Sequence, residues 1–423
     1  MRFTSLTTKT VKDSSQADVS RNAQLLLRGG YVDKLMAGVY TYLPLGCRVL
    51  SKIENIVREE MNKVGGQEVL MPALQPREIW DTTERWDKVD VLFKLMGAGD
   101  RELALGPTHE EVVTPTIGKF IQSYRDLPKA VYQIQTKFRN EPRAKSGLLR
   151  GREFRMKDLY SFHVDQASLD AFYEEVTAAY HEIYRRCGIG DITLLTYAGG
   201  GIFSKYSHEF QTITEYGEDT IYRIPGTDTA VNKEIVDDEG AMADLIPNYK
   251  KGDEKNLEEL KAIEVGNIFK LGTRFTSAFG IEYADEAGAK QPVLMGCYGL
   301  GPSRVMGTIA EVLSDDKGLV WPDEVAPYHV HLVSLCRDEA DIDRCENLYN
   351  TLCEKGVEVL YDDRAGVQAG AKLADADLIG IPRRVVVSPK TLKEDSVEFK
   401  PRSDDQAVIT PIETFISVLM EKD

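Results

Sequence analysis

The sequence predicts an α+β chain: a larger first part built round an antiparallel hairpin with flanking helices, then a small α/β domain. Three observations carry this. Two strand-like runs, about 134–141 and 152–160, are separated by a loop holding Pro142 and Gly147, which is hairpin grammar. Apolar stripes at helical spacing stand on either side: Val49, Ile53, Ile56, Val57, Met61 and Val64 before it, Leu169, Phe172, Tyr173, Val176, Tyr180 and Ile183 after it. Beyond a linker read at 319–327 (L-V-W-P-D-E-V-A-P), strand and helix patterns alternate, so parallel pairing is expected there.

Taken in order, a helix over 20–30 stops at Gly29-Gly30, and 38–46 reads as a strand and turn. The helix over 48–64 ends at Gly65-Gly66, and a strand over 67–71 is closed by Pro72. At L-A-L-G-P-T-H-E-E (103–111) a Gly-Pro turn brings the Thr108 hydroxyl and the Glu110 carboxylate together; Thr108 with Glu111 also fits a helix capping box. His109 between them is expected to point away. In the hairpin, alternation puts Arg139 and Glu141 on one face, and Arg152, Phe154 and Met156 on one face. A helix over 165–187 follows, and S-H-E-F-Q (207–211) leads into a strand. The acidic stretch 220–261, with Pro225 and Pro247 and the acids Asp237, Asp238, Asp253 and Glu254, reads as an insertion with little core and no hydrolytic site. Strands are read at 265–275 and 292–295. The glycine-rich run 296–304 then leads into a helix over 305–313. It lacks the third glycine and the βαβ context of a dinucleotide fingerprint. In the last part, strands are expected over 328–335, 357–361 and 384–387, and helices over 339–355, 371–379 and 413–420.

The composition is that of a folded chain, 42% hydrophobic and 28% charged over 423 residues, with room for two or three domains. No run of about 18 apolar residues is present, so no spanning helix is expected. The N-terminal M-R-F-T-S-L-T-T-K-T lacks the apolar core of a signal peptide. Six cysteines without a C-x-x-C argue against structural zinc and for a reducing compartment, hence a cytoplasmic location. A net charge of −16 argues against broad nucleic-acid binding but leaves room for a local basic patch.

The stretch 137–163 concentrates Arg139, Arg143, Arg150, Arg152 and Arg155. Taken alone, such a run reads as a solvated, salt-bridged hairpin. Guanidinium is also the group suited to bidentate carboxylate or phosphate contacts and to stacking on planar rings. F-R-N-E (138–141) followed by R-x-x-x-F (150–154) resembles motif 2 of the class II aminoacyl-tRNA synthetases. The string R-G-R-E-F-R-M-K-D-L-Y-S-F-H (150–163) is similar to the prolyl-tRNA synthetases of bacterial type. The helix, strand and proline of about 44–72 resemble motif 1, and 293–313, with G-C-Y-G-L-G-P-S-R, resembles motif 3.

That resemblance implies a class II antiparallel sheet flanked by helices over 1–324, a shortened insertion at about 220–262 where relatives carry an editing domain, and an anticodon-binding α/β domain over 325–423. It implies an ATP-dependent ligation of L-proline to tRNA(Pro) through prolyl-adenylate, with Mg²⁺ accompanying ATP and no zinc, in a homodimer joined through motif 1. By the same resemblance Arg139 and Arg304 are catalytic, Arg139 bridging the proline carboxylate and the α-phosphate. Glu141, Arg150, Phe154, Gln211 and Arg304 bind ATP, with adenine between Phe154 and Arg304. Thr108, Glu110, His208 and Cys297 join Arg139 round proline, Cys297 as a small wall and not a nucleophile. Glu209 is the candidate for holding Mg²⁺. Arg143 and Lys145, the latter an Arg in many bacterial relatives, would meet the tRNA acceptor end. Arg364 and Lys372, with Arg383 and Arg384, are the basic candidates for RNA contact in the last domain. Asn267 stands where the family usually has His. Without an editing domain, alanine misactivation is expected, corrected by a separate hydrolase or tolerated. A synthetase-like protein retired from catalysis should have lost Arg139, Arg304, Thr108 or Glu110, and a ligase that loads a carrier protein should lack the last domain; all are present.

Overall fold

The computed structural model describes residues 1–12, 20–201, 206–246, 250 and 256–421. Of the acidic stretch, Pro247, Asp253 and Glu254 lie outside the described residues. The chain divides into two compact units: Met1–Leu35, Tyr40–Lys52 and Ile309–Asp423 form one, Met36–Val39 and Ile53–Thr308 the other. Early helices are Arg21–Arg28 (α1) and Pro44–Lys63 (α2). The second starts four residues before the position read from periodicity, because Pro44 takes a first-turn place where its missing N–H costs nothing.

The second unit is organised on a nine-stranded sheet. A helix, Glu110–Gly118 (α3), precedes the hairpin strands Lys129–Phe138 (β1) and Glu153–His163 (β2), which pair antiparallel from Lys129↔Phe162 to Phe138↔Glu153. The hairpin ends earlier than its apolar pattern suggests. The Arg139 N–H still donates to the Arg152 carbonyl at 2.8 Å, but the next N–H, of Asn140, turns to the Val91 carbonyl, so Glu141 leaves the ladder. The strand read at 67–71 shrinks to Gln67–Glu68, since the Met71 N–H is taken by the Gln133 side chain at 3.0 Å. The capping box is not formed. Helix α3 begins at Glu110 with no side-chain cap, and Glu111 instead binds Arg85 and Thr83.

Helix Gln166–Arg186 (α4), capped by Asp165, leads to strands Thr193–Gly199 (β3) and Tyr206–Ile213 (β4). Strands Asp219–Arg223 (β5), Thr229–Asn232 (β6) and Glu258–Gly272 (β7) follow. The acidic stretch is therefore not a poor insertion. β5 and β6 pair with each other, β6 with β3, and β5 with β7, while β7 also pairs with β4 and β4 with β3. The five strands close into a ring whose interior holds Leu194, Ile221, Ala230 and Ala262. Val231, Ile235, Val236, Ala241 and Met242 form a second small core on its outside. Alternation within short strands, broken by polar turns, hid this from a reading of charge alone.

Strand Leu294–Leu300 (β8) joins β7 to β2 and carries the strand read at 292–295 on through Gly296 and Gly299. A Cβ on Gly296 would lie 2.3 Å from the Tyr298 hydroxyl and 2.8 Å from Ser161 Oγ, so crowding, not bending, requires glycine there. Helix Pro302–Val312 (α5) follows, again with proline in its first turn.

In the first unit, strands Val330–Ser334 (β9), Val359–Asp362 (β10), Arg383–Val387 (β11), Ser396–Pro401 (β12) and Val408–Pro411 (β13) form a sheet ordered β10-β9-β11-β12-β13. The first three are parallel, as expected; β12 and β13 are antiparallel additions that the sequence reading did not contain. Helices Glu339–Glu354 (α6), Ala369–Ile379 (α7) and Ile412–Met420 (α8) complete it, over a core including Val330, Leu332, Leu348, Val385 and Phe415. Among the described residues no helix is long and apolar enough to cross a membrane.

Candidate active site

Strands β2, β7 and β8 and the start of α3 surround a cavity of about 210 Å³, which meets a second of about 180 Å³. Arg139, Glu264 and Arg304 line both. The first also has Thr108, Glu110, Phe154, Asp158, Asn267 and Cys297 in its wall; the second has Glu141, Arg150, Glu218 and Asp219.

At the inner end of the first cavity the polar atoms are left wanting. Thr108 Oγ1, Glu110 Oε2 and Asp158 Oδ1 are buried without a hydrogen-bond partner among the described residues. Glu110 Oε1 accepts from the Cys297 thiol at 3.2 Å; burial, and then Glu110 itself, push that thiol well above its usual range, so it is no nucleophile. Beneath them Lys137 Nζ donates to Asp158 at 2.9 Å and lies 2.5 Å from His109 Nδ1. Burial works to raise Asp158, but Lys137 prevails and holds it below the ordinary carboxylate range. Burial, then the Lys137 charge, bring His109 down to about 4, so the imidazole is neutral and accepts from Lys137. His109 accordingly faces the interior and not the cavity. Two carboxylates and an unpaired hydroxyl at the blind end of a cavity suit a cation with more than one N–H.

Between the cavities the charge reverses. The Arg139 guanidinium lies 5.3 Å from the Phe154 ring centre and has no ion-pair partner among the described residues. Burial, and next the charge of Arg304, disfavour its protonated form, so an anion arriving there is stabilised twice over. Arg304 Nη1 donates to the Glu264 carbonyl and carboxylate at 2.9 and 3.0 Å. In the second cavity Arg150 binds Glu141 at 2.9 Å and Glu218 at 3.5 Å.

Strand alternation sorts the residues of S-H-E-F-Q. Glu209 and Gln211 face the site; His208 faces α4, its Nδ1 2.7 Å from the Tyr173 hydroxyl, so it is not a wall of the cavity as expected. Glu209 accepts from Gln211 and Asn232 at 2.9 Å each and from Asn267 at 3.3 Å. Burial and the neighbouring Glu264 push it up to about 8. Asn267 Nδ2 donates to Glu264 as well, at 3.2 Å, so the amide keeps a donor where the family usually has His. Gln211 also donates to Asp219 at 2.9 Å. Among the described residues no group of three or more His, Cys, Asp or Glu is arranged to hold a metal. Glu264 and Glu209 are oxygen donors of the kind Mg²⁺ takes beside a phosphate chain.

Arg143 is exposed on the loop between β1 and β2, and Lys145 reaches Glu218 at 3.4 Å. The basic candidates of the last domain are otherwise engaged. Lys372 is 4% exposed and donates to the Ser334 and Asp362 carbonyls at 2.8 and 3.3 Å, which removes it from any RNA-facing surface. Arg364 is held by Asp362 at 2.6 Å and Asp375 at 2.9 Å, Arg383 by Asp323 at 2.8 Å, and Arg384 by Asp377 at 2.7 Å. Asp158, Lys137 and Glu264 belong to the site and were not singled out from the sequence. The acid and the lysine are both in motif 2 strands, so their alternation toward Glu110 was the available signal.

Comparison with known proteins agrees with this architecture. Residues 93–313 match the family described as tRNA synthetase class II core domain (G, H, P, S and T), and 326–422 match the anticodon binding domain. A proline–tRNA ligase of Geobacillus sp. is 34% identical over 94% of this chain and 95% of its own length. One from Dehalococcoides mccartyi is 33% identical over 98% of both. The alignment with the first spans 551 positions against the chain's 423 residues, so the relative has many residues with no counterpart here. The structure of Giardia lamblia prolyl-tRNA synthetase in complex with prolyl-adenylate shares the fold, with a TM-score of 0.76 and 21% identity over 93% of this chain and 74% of that one. A cation-seeking end and an anion-seeking middle on a class II core, with a third of all positions shared with such ligases along nearly the whole length, place this chain in the proline–tRNA ligase family.

Proposed function

We propose that the first cavity takes L-proline and the second the phosphates of ATP, and that the chain forms prolyl-adenylate and passes the prolyl group to tRNA(Pro). The observation that carries this is the convergence of Thr108 Oγ1, Glu110 Oε2 and Asp158 Oδ1, none with a hydrogen-bond donor or acceptor among the described residues, on one side of an Arg139 that has no ion-pair partner there. Proline's secondary ammonium has two N–H donors and a positive charge for the first set; its carboxylate faces Arg139. The carboxylate attacks the α-phosphorus, pyrophosphate leaves, and the charge gathered on the phosphorus oxygens is met by Arg139. Catalysis here is positioning and charge stabilisation, with no protein nucleophile. Phe154 and Arg304 are the groups to hold adenine, Glu141 to accept from its amino group, and Arg150 to hold the outer phosphates. Mg²⁺ would neutralise those phosphates, with Glu264 and Glu209 as the nearby carboxylates. Arg143 and Lys145 are placed for the acceptor end of the tRNA. Residues 1–324 would carry the chemistry and 325–423 the anticodon contact. A homodimer is supported by exposed apolar side chains after the motif 1 helix, Leu70 at 79% and Leu74 at 49%. Without a full editing domain, mischarged tRNA would be left to a separate hydrolase in the cytoplasm.

The test is ATP–pyrophosphate exchange with each amino acid in turn, with Arg139→Ala as control. Proline-dependent exchange, lost in the control, is the expected result. No exchange with any amino acid, from folded protein, would overturn it.

A further inference from the structure

A cavity of about 500 Å³ lies wholly within the unit of Met1–Leu35 and Ile309–Asp423. Its floor is aliphatic, Ala371, Ala374 and Leu378 of α7 with Val11 and Val367. Its cations are Lys9, Lys12, Arg28 and Lys317, with Arg364. The segment carrying Lys9 and Lys12 is fastened by two bonds, Val11 N–H to the Arg28 carbonyl at 2.9 Å and Thr10 Oγ1 to Asp375 at 2.6 Å.

The acids of this cavity are already engaged. Asp375 holds Thr10 and Arg364, and Asp377 holds Arg384. Among the described residues Lys9, Lys12 and Arg28 have no carboxylate partner, and Arg28 Nε is buried with no hydrogen-bond partner. Arg28 differs in this from arginines such as Arg2, Arg48, Arg58, Arg155 and Arg344, each of which is held by a carboxylate. A cationic rim over a floor without an aromatic ring favours phosphate oxygens over a stacked base.

We propose that Lys9, Lys12 and Arg28 grip backbone phosphates of the tRNA, a contact distinct from Arg364, Lys372, Arg383 and Arg384, which carboxylates or buried carbonyls already occupy. This rests on the tRNA-ligating reading. A net-negative chain needs such a patch, because the phosphate term supplies most of the affinity for a polyanion.

The experiment uses the full chain as Lys9→Ala/Lys12→Ala, two exposed positions, and separately as Arg28→Ala. Wild-type charging of tRNA(Pro) tests the underlying reading; only the ratio of variant to wild type tests this one. Expected are unchanged proline-dependent exchange, a KM for tRNA raised about tenfold, and a salt slope of binding shallower by about one per cation removed. A tRNA KM and salt slope equal to wild type in the double lysine variant overturn the proposal. So does displacement of inorganic pyrophosphate from wild type but not from the variants while tRNA binding is unmoved, since the cleft would then serve a free oxyanion.

Discussion

Replacing Glu110 by Gln separates recognition from stability, because the two should move in opposite directions. Glu110 is 1% exposed, and its Oε2 has no donor. Its nearest cation, Arg85 Nη1, is 3.8 Å away and is bound more closely to Glu111 at 2.6 Å. In the empty enzyme this is a buried charge with little compensation; in the complex it would face the proline ammonium. A hydrogen bond to a charged group is worth about 1.5–3 kcal/mol. Removing the charge at constant volume should therefore raise the KM for proline about 10- to 150-fold, a tenfold change being about 1.4 kcal/mol. The KM for ATP should stay within about twofold. The ligand-free protein should melt at the same temperature or higher, since the amide is cheaper to bury and its oxygen can still accept from the Cys297 thiol. Exchange kinetics at varied proline, with thermal melts in parallel, read both. A proline KM near wild type would place the amine elsewhere, and a fall in melting temperature matching the loss of activity would make Glu110 a structural residue.

Lys372→Met should cost about 3 kcal/mol in urea unfolding, since it strips a buried cation from Asp362, while the tRNA KM of the folded protein stays unchanged; a raised KM at full stability would return Lys372 to the RNA surface. Glu209, pushed up to about 8, keeps its proton in the folded state from roughly pH 4.5 upward, where the unfolded chain has lost it. Stability should thus fall as pH rises from about 5 to 8, and Glu209→Gln should flatten that slope; an identical slope in the variant would assign it to another group. Alanine lacks the two ring carbons Cγ and Cδ of proline, each missing methylene worth about 1–3 kcal/mol of discrimination, and fits any pocket sized for proline, so weak alanine-dependent exchange should be measurable. Its complete absence would mean that the pocket rejects alanine by more than lost contact.

Much of the fold was legible because its signals are local. The stripe from Val49 to Val64 marked a helix, the alternation after Leu319 marked parallel strands, and the motif strings placed Arg139, Phe154, Thr108 and Arg304, all of which border the paired cavities. What was not legible depends on partners far along the chain. His208 was misplaced by one step of alternation, which only the pairing with β7 fixes. Lys372 looked like any surface lysine, and its burial follows from α7 packing over the carbonyls of Ser334 and Asp362. The strand read at 292–295 stopped short of the glycines of β8 because crowding by Tyr298 and Ser161, which requires Gly296, cannot be seen in one dimension.

The five-stranded ring makes the stretch between Asn232 and Glu258 behave as a socket. Both ends are clamped, Asn232 opposite Ile221 and Glu258 opposite Arg223, so whatever chain joins them starts and finishes at fixed points. Lengthening such a connection costs little, about 0.6 kcal/mol for each doubling. A whole hydrolytic module could be carried there, beyond the small core of Ile235, Val236, Ala241 and Met242, without shifting the register of β7, which presents Glu264 and Asn267 to the cavities. Proofreading and synthesis thereby become separable parts, and a graft of a foreign editing module at this socket should leave adenylate chemistry intact.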